Sequence, residues 1–86
     1  MPLVSKFFGI VITMYFNDHA PPHFHVRYGE YNAKITIDTL DIIKGKLPQR
    51  VLSLVLEWAA LHRSELFTNW KLAQSGKPTK SIKPLE

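Results

Sequence analysis

Apolar and polar residues alternate along two neighbouring stretches of the chain, 23–28 and 31–38. Successive side chains of a strand point to opposite faces, so each stretch is predicted to be a β-strand with one apolar and one polar face. Gly29-Glu30 separates them, and glycine suits the first central position of a type II′ hairpin turn. This turn sets the register, and the predicted cross-strand pairs are Tyr28–Tyr31, Arg27–Asn32, His25–Lys34 and His23–Thr36.

Further apolar patterns lie on either side of this hairpin. The stretch 7–16 is mostly apolar on both faces, which predicts a central strand, and a shorter fourth strand is predicted near 40–44. From Gln49 to Gln74 there is neither glycine nor proline, and apolar residues recur with helical spacing. The sequence therefore predicts an α+β fold, with a small antiparallel sheet of three to four strands followed by one long C-terminal α-helix.

The domain organisation follows from the end of this helix. Gly76 and Pro78 are typical stop signals, so residues 1–76 are predicted to form a single α+β domain. Residues 77–86 contain three lysines and two prolines and are predicted to be an extended basic C-terminal tail. The apolar stripe of the helix is wider than one small sheet covers, so we expect a homodimer through the C-terminal helix or another partner there.

Composition narrows the classes of protein. The chain has no cysteine, which excludes disulfides and a cysteine-based zinc site. Its start lacks the apolar run of a signal peptide, and its longest uncharged stretch, 7–17, is too short to cross a bilayer. We therefore expect a cytoplasmic protein without a membrane partner. The formal net charge of +4 favours an anionic partner, such as nucleic acid or an acidic protein.

Three of the four histidines lie within seven residues, which makes this segment the candidate site. Histidine exchanges protons near neutral pH, and neighbouring basic and polar groups can hold a phosphodiester. One hypothesis is therefore a metal-independent ribonuclease without a cofactor, with catalytic residues His19, His23 and His25. Its substrate-binding residues are Arg27, Asn32, Lys34 and Thr36.

Two other interpretations of the histidines stay open. His23 and His25 point the same way from one strand, and with Asp18 or His19 they could ligate zinc. Against this, Lys34 and Arg27 oppose an incoming cation by on the order of 1 kcal/mol each, and no carboxylate is clearly placed on that face. No metal is therefore expected. The second interpretation is structural, with histidines that satisfy backbone groups at strand ends.

Further polar residues are candidates for a supporting role. Asp18 lies beside the histidines, and Glu57 and His62 lie on the predicted helix. The functional interpretation packs the helix against the histidine segment so that these residues support it. The simpler interpretation, which we prefer, is a helix with a solvated polar face.

Several short motifs are spread over nearly the whole chain, and the most specific of them is Pro21-Pro22-His23-Phe24-His25. The others are Phe8-Gly9-Ile10-Val11-Ile12, Met14 to His19, Tyr28-Gly29-Glu30-Tyr31, Leu47-Pro48, Glu57-Trp58, Leu61-His62, Asn69-Trp70 and Ile82 to Glu86. In these motifs the chain resembles a family of small bacterial proteins known as domain of unknown function 4160.

The resemblance implies a function and a partner. Family members are often paired with a second small protein in what looks like a type II toxin–antitoxin module, with this family as the toxin. It implies a toxin that acts on RNA or translation and is neutralised by a small cognate antitoxin-like protein. The alternatives are a non-catalytic protein- or nucleic-acid-binding regulatory module and a histidine-based metal-binding protein.

Overall fold

Five antiparallel strands in sequential order form one sheet within residues 3–86, and two helices follow them in that range. The structure is a computed structural model and describes residues 3–86. The strands are β1 (Leu3–Phe7), β2 (Ile10–Thr13), β3 (His23–Tyr28), β4 (Tyr31–Thr36) and β5 (Ile42–Gly45). The helices are α1 (Gln49–Leu61) and α2 (Arg63–Gln74). The predicted α+β class is confirmed, whereas the predicted numbers of strands and helices differ from those observed.

The β3–β4 hairpin has the predicted register. Its pairs include His23 with Thr36, His25 with Lys34 and Tyr28 with Tyr31. Gly29 has φ +57°, a backbone conformation that glycine adopts at little cost and that the first position of a type II′ turn requires. The alternation of the two strands and the turn residue act locally, so the register was predictable.

The prediction of one strand over 7–16 is wrong, because the chain reverses direction at Phe8-Gly9. Both residues have positive φ, +50° and +78°, as a two-residue hairpin turn of type I′ requires. This turn creates β1, which pairs with β2. An aromatic residue rarely adopts positive φ, so Phe8 carried no turn signal in the sequence.

The prediction of one long helix is also wrong. The chain breaks at His62, which ends α1 and precedes α2. A continuous helix over 49–74 would be about 39 Å long, whereas the longest dimension of the Cα trace is 33 Å. The break keeps both Trp58 and Trp70 buried against the body of the protein.

The hydrophobic core lies between one face of the sheet and the helices. Ile12 and Val26 are paired on that face, and Phe24 contacts Trp58 of α1 edge-to-face at 6.1 Å between ring centroids. All four of these side chains are buried. The opposite face carries the polar residues of β3 and β4, including His25 and its partner Lys34.

Residues 77–86 have no regular secondary structure but are held against the body of the protein. The buried Asn69 amide makes two 2.8 Å hydrogen bonds to the backbone of Lys80. The Ile82 N–H donates to Val4 O at 2.9 Å, and the Trp58 indole N–H donates to Lys83 O at 2.9 Å. Ile82 itself is only 3 % exposed. Within residues 3–86, neither helix combines the length and hydropathy that crossing a membrane requires.

Candidate functional site

Within residues 3–86, the face of the sheet opposite the Phe24–Trp58 contact carries positive charge on four of the five strands. We call it the open face, and it bears the side chains of Lys6, Arg27, Lys34 and Lys44 together with His25. Directly paired residues of antiparallel strands share a face, and the observed pairs are Lys6–Val11, Val11–Arg27, His25–Lys34 and Lys34–Lys44.

A pocket of about 350 Å³ lies on the open face. Its polar lining includes Arg27, Lys34, Lys44, Asn32 and His25. Arg27 and Lys44 are exposed, and Lys34 is half-buried. The pocket therefore concentrates three permanent cations beside one imidazole, which suits an anionic ligand.

At one end of this face, Asp18, His23 and His25 form a compact group that we call the histidine–aspartate cluster. The Asp18 Oδ2 atom lies 2.9 Å from His25 Nε2 and 3.0 Å from His23 Nε2. His23 is 3 % exposed, whereas the side chain of His25 keeps 20 % of its surface accessible. One carboxylate oxygen thus lies between two imidazole nitrogens, and His25 connects the cluster to the pocket.

The hydrogen bond of His23 Nδ1 defines the tautomer of the neutral ring. Its Nδ1 lies 2.8 Å from Pro21 O, and a carbonyl oxygen can only accept, so Nδ1 carries a hydrogen and donates. In the neutral ring, the lone pair of Nε2 then faces the cluster. Nε2 is buried and has no hydrogen bond within residues 3–86, because its 3.0 Å contact with Asp18 lacks hydrogen-bond geometry.

The environment shifts two pKa values in the cluster downwards. Burial raises the pKa of Asp18, but hydrogen bonds from His25 and the His19 amide and the nearby imidazoles outweigh this and leave it below its ordinary value. Burial lowers the pKa of His25, while the hydrogen bond with Asp18 opposes this effect; Lys34, and His23 in its protonated form, lower the pKa of His25 further. The cluster therefore favours an ionised Asp18 and a neutral His25 at neutral pH.

The second helix positions the cluster. The Gln74 side chain donates a 2.8 Å hydrogen bond to Asp18 O, and the Asn17 N–H donates to Ala73 O at 3.3 Å. The indole of Trp70 lies against the imidazole of His23, with ring centroids 5.3 Å apart. The loop before β3 is thereby held by residues far along the chain.

The structure brings some of the predicted site residues together and separates others. Arg27, Asn32 and Lys34 line the pocket with His25, and Asp18 joins His23 and His25. His19 is exposed and contributes its backbone N–H, which donates to Asp18 Oδ1 at 2.9 Å. The His19 side chain is therefore not part of the cluster.

The remaining predicted residues serve other contacts. Thr36 ends β4, and its hydroxyl accepts a 3.1 Å hydrogen bond from the Asp41 N–H in the turn that follows. His62 pairs with Glu65 at the break between the helices, with 2.6 Å between Nδ1 and Oε1, and Glu57 is exposed on α1. Thr36, Glu57 and His62 therefore contribute to the turn after β4 and to the helices rather than to the pocket or the cluster.

Several residues that line the pocket were not predicted, and Lys44 and Tyr15 are two of them. Lys44 on β5 pairs with Lys34 on β4, and this pairing brings it to the pocket. The sequence does not determine the register between these two strands. Tyr15 follows β2 and packs edge-on against His25, with ring centroids 4.4 Å apart. The alternation of polar and apolar residues around Lys44 was too short to predict which face it occupies.

Comparison with known proteins identifies the family of the chain. Neither the curated proteins nor the solved structures contained a match. A family model matches residues 9–71, a segment that includes the histidine–aspartate cluster and the pocket and covers well over half of the chain. The protein therefore belongs to the family described as domain of unknown function (DUF4160).

Proposed function

We propose that this protein binds RNA through the open face of its sheet, as the basis of a toxin-like action on RNA or translation. The observation that carries the proposal is the pairing of Lys34 with Lys44 inside the pocket. Like charges directly opposite each other on neighbouring strands destabilise a sheet. An anionic ligand in the pocket offsets this repulsion, and Arg27 adds a third cation.

The shape of the charged surface favours a polyanion over a small anion. Neighbouring strands are about 4.8 Å apart, so Lys6, Arg27, Lys34 and Lys44 spread positive charge over the width of the sheet. A chain of phosphates contacts several of these groups at once, and each contact releases counterions. RNA fits this distribution better than a single phosphate does.

The burial of His23 changes the proposed roles of the histidines. A general acid or base must reach the proton that it transfers, and His23 is only 3 % exposed behind Trp70 and Asp18. His25 lines the pocket and is the histidine that can contact a bound phosphodiester. We therefore propose contact with RNA for His25, Arg27, Lys34 and Lys44, and a positioning role for His23.

Binding of a labelled single-stranded RNA oligonucleotide, followed by fluorescence anisotropy in EDTA, tests this proposal. The test variant is Lys34→Gln/Lys44→Gln, and the matched control is Lys71→Gln/Lys77→Gln, which removes the same charge from exposed positions on α2 and after it. We expect wild type and control to bind alike and the test variant to bind more than about tenfold more weakly. Its salt slope should fall by about 1.4, because each phosphate contact contributes about 0.7. Equal affinity of the two variants would refute the proposal.

The toxin component of the proposal needs a test in cells. Induction of the wild-type protein in a bacterial host is expected to slow growth, whereas Lys34→Gln/Lys44→Gln at matched soluble levels is not. Growth arrest by both proteins would mean that toxicity does not depend on the lysines of the open face. Co-production with a small cognate antitoxin-like protein is expected to restore growth.

A further inference from the structure

We propose that Asp18, His23 and His25 bind one divalent transition-metal ion, with zinc as the most suitable. Each residue offers one ligand atom, and the three atoms all lie within 4.8 Å of one another. Two imidazoles and one carboxylate are an established ligand set for catalytic zinc and for other divalent transition metals. RNA binding by the open face is not required for this proposal.

The unpartnered nitrogen of His23 is the observation that points to a bound cation. Its Nδ1–H donates to Pro21 O at 2.8 Å, so the lone pair of the neutral ring is on Nε2. This buried Nε2 lies 3.0 Å from a carboxylate oxygen of Asp18, without a hydrogen bond to any residue in 3–86. A lone pair and an anionic oxygen at this distance repel each other, and a metal ion between them converts the repulsion into two bonds.

The distances from Asp18 to the two imidazoles are close to those of a metal site. Metal–ligand bonds of about 2.0–2.1 Å at tetrahedral angles separate the ligand atoms by about 3.3 Å. The Asp18 Oδ2 atom lies 2.9 Å from His25 Nε2 and 3.0 Å from His23 Nε2. An outward movement of a few tenths of an ångström gives Asp18 the required separation from each imidazole, and the three ligand atoms already lie within 4.8 Å of one another.

The surroundings of the ligands resemble those of protein metal sites, where neighbouring groups orient each ligand. The Pro21 carbonyl orients His23, and the His19 N–H donates to the second oxygen of Asp18 at 2.9 Å. Gln74 holds the backbone of Asp18 from α2. Each ligand-bearing segment is thus positioned before a metal arrives.

The charges around the proposed ion differ from those expected from the sequence, because the structure places a carboxylate beside the two histidines. Lys34 is paired with His25 and opposes a cation there. The Asp18 carboxylate lies within 3.0 Å of both imidazole nitrogens and is itself one of the proposed ligands. As a ligand at about 2 Å from the ion, it attracts the ion more strongly than a lysine that is not in contact with the ion repels it.

Zinc titration of protein without a polyhistidine tag, followed by calorimetry, tests the proposal in the absence of RNA. We expect wild type to bind one zinc ion per chain and to melt at a higher temperature with zinc. Asp18→Asn and His25→Gln are expected to weaken binding more than about tenfold, since even the loss of a group that only orients a ligand costs 10–100-fold. His62→Gln is the matched control, because His62 also pairs with a carboxylate but lies outside the cluster.

Cobalt supplies a second readout, since its visible absorption reports the coordination of the bound ion. Wild type and His62→Gln are expected to give the same spectrum, and Asp18→Asn and His25→Gln are expected to lose it. Circular dichroism establishes that the variants are folded. The proposal would be overturned if the folded wild-type protein bound no zinc, or if both ligand variants bound zinc with wild-type affinity. In that case the positive charge between His23 and Asp18 would be a proton on His23 Nε2. Because RNA binding is measured in EDTA, either proposal can fail without the other.

Discussion

The side-chain amide of Gln74 donates a 2.8 Å hydrogen bond to the backbone carbonyl of Asp18, and these two residues are 56 positions apart in the chain. The last turn of α2 thereby holds the loop that carries the carboxylate of the histidine–aspartate cluster. A helix far along the chain thus contacts the cluster directly and helps to determine its geometry. We therefore expect that a substitution in α2 lowers the metal affinity of the cluster although Asp18, His23 and His25 are unchanged.

Gln74→Ala tests this relationship. The hydrogen bond is exposed, so its loss should lower the free energy of unfolding by only about 1 kcal/mol or less. Zinc affinity, by contrast, should fall roughly tenfold, as it does when other groups that orient a ligand are removed. Chemical denaturation and zinc titration measure the two effects. Gln49→Ala, at the exposed start of α1, is the control and should retain wild-type zinc affinity.

The free energy of unfolding of the metal-free protein is expected to decrease as the pH is lowered. The pKa of His25 is lower in the folded protein than the ordinary value of about 6.5, so the unfolded chain takes up a proton first as pH falls. Stability is therefore complete above about pH 6.5 and declines below it. The lowered pKa of Asp18 adds a second loss near and below its ordinary value of about 3.9, again because the unfolded state protonates first.

Urea denaturation in EDTA over a range of pH measures this dependence. His25→Gln is expected to flatten the decline that begins near pH 6.5, because the variant has no proton to take up there. The groups that face His25 are Asp18, His23 and Lys34, and only Asp18 opposes the lowered pKa. A stability that rises as pH falls through this range would contradict the assignment of His25 as neutral.

Gly45 should resist replacement because β5 lies tightly against β4. It has φ +80°, and a Cβ atom there would overlap the backbone carbonyl oxygen of Asn32. Gly45→Ala is expected to cost roughly 3 kcal/mol or more and to displace Lys44 from the pocket, which lowers RNA affinity. Gly76→Ala is the control, since Gly76 also has positive φ but open space around it. It should cost only about 1 kcal/mol, as measured by thermal unfolding.

Ile82 should contribute to stability as a core residue although it lies beyond the last helix. It is 3 % exposed, and its N–H donates to Val4 O on β1. Ile82→Ala is expected to lower the free energy of unfolding by about 2–4 kcal/mol. Ile43→Ala, at a position that is 47 % exposed, should change it by no more than about 0.5 kcal/mol. Equal effects in urea denaturation would mean that the segment after α2 does not pack as described.

The β3–β4 hairpin was predictable from sequence because its determinants are local. Alternation assigns His25, Arg27 and Lys34 to one face, and Gly29 sets the register between the strands. The polar lining of the open face was therefore predicted in large part before the fold was known. The turn at Phe8-Gly9 was missed because an aromatic residue rarely adopts positive φ. The helix break at His62 was missed because residues 49–74 contain neither glycine nor proline.

The composition of the histidine–aspartate cluster was decided by tertiary structure. The sequence places His23 and His25 on one face, because two residues at i and i+2 of a strand always share it. Asp18 is in an irregular loop, whose direction no local pattern determines. Contacts with Gln74 and Ala73 of α2 bring its carboxylate between the two imidazoles. The shared orientation of the two histidines thus follows from the two-residue period of a strand. The position of their carboxylate partner depends instead on long-range contacts that exist only in the folded chain.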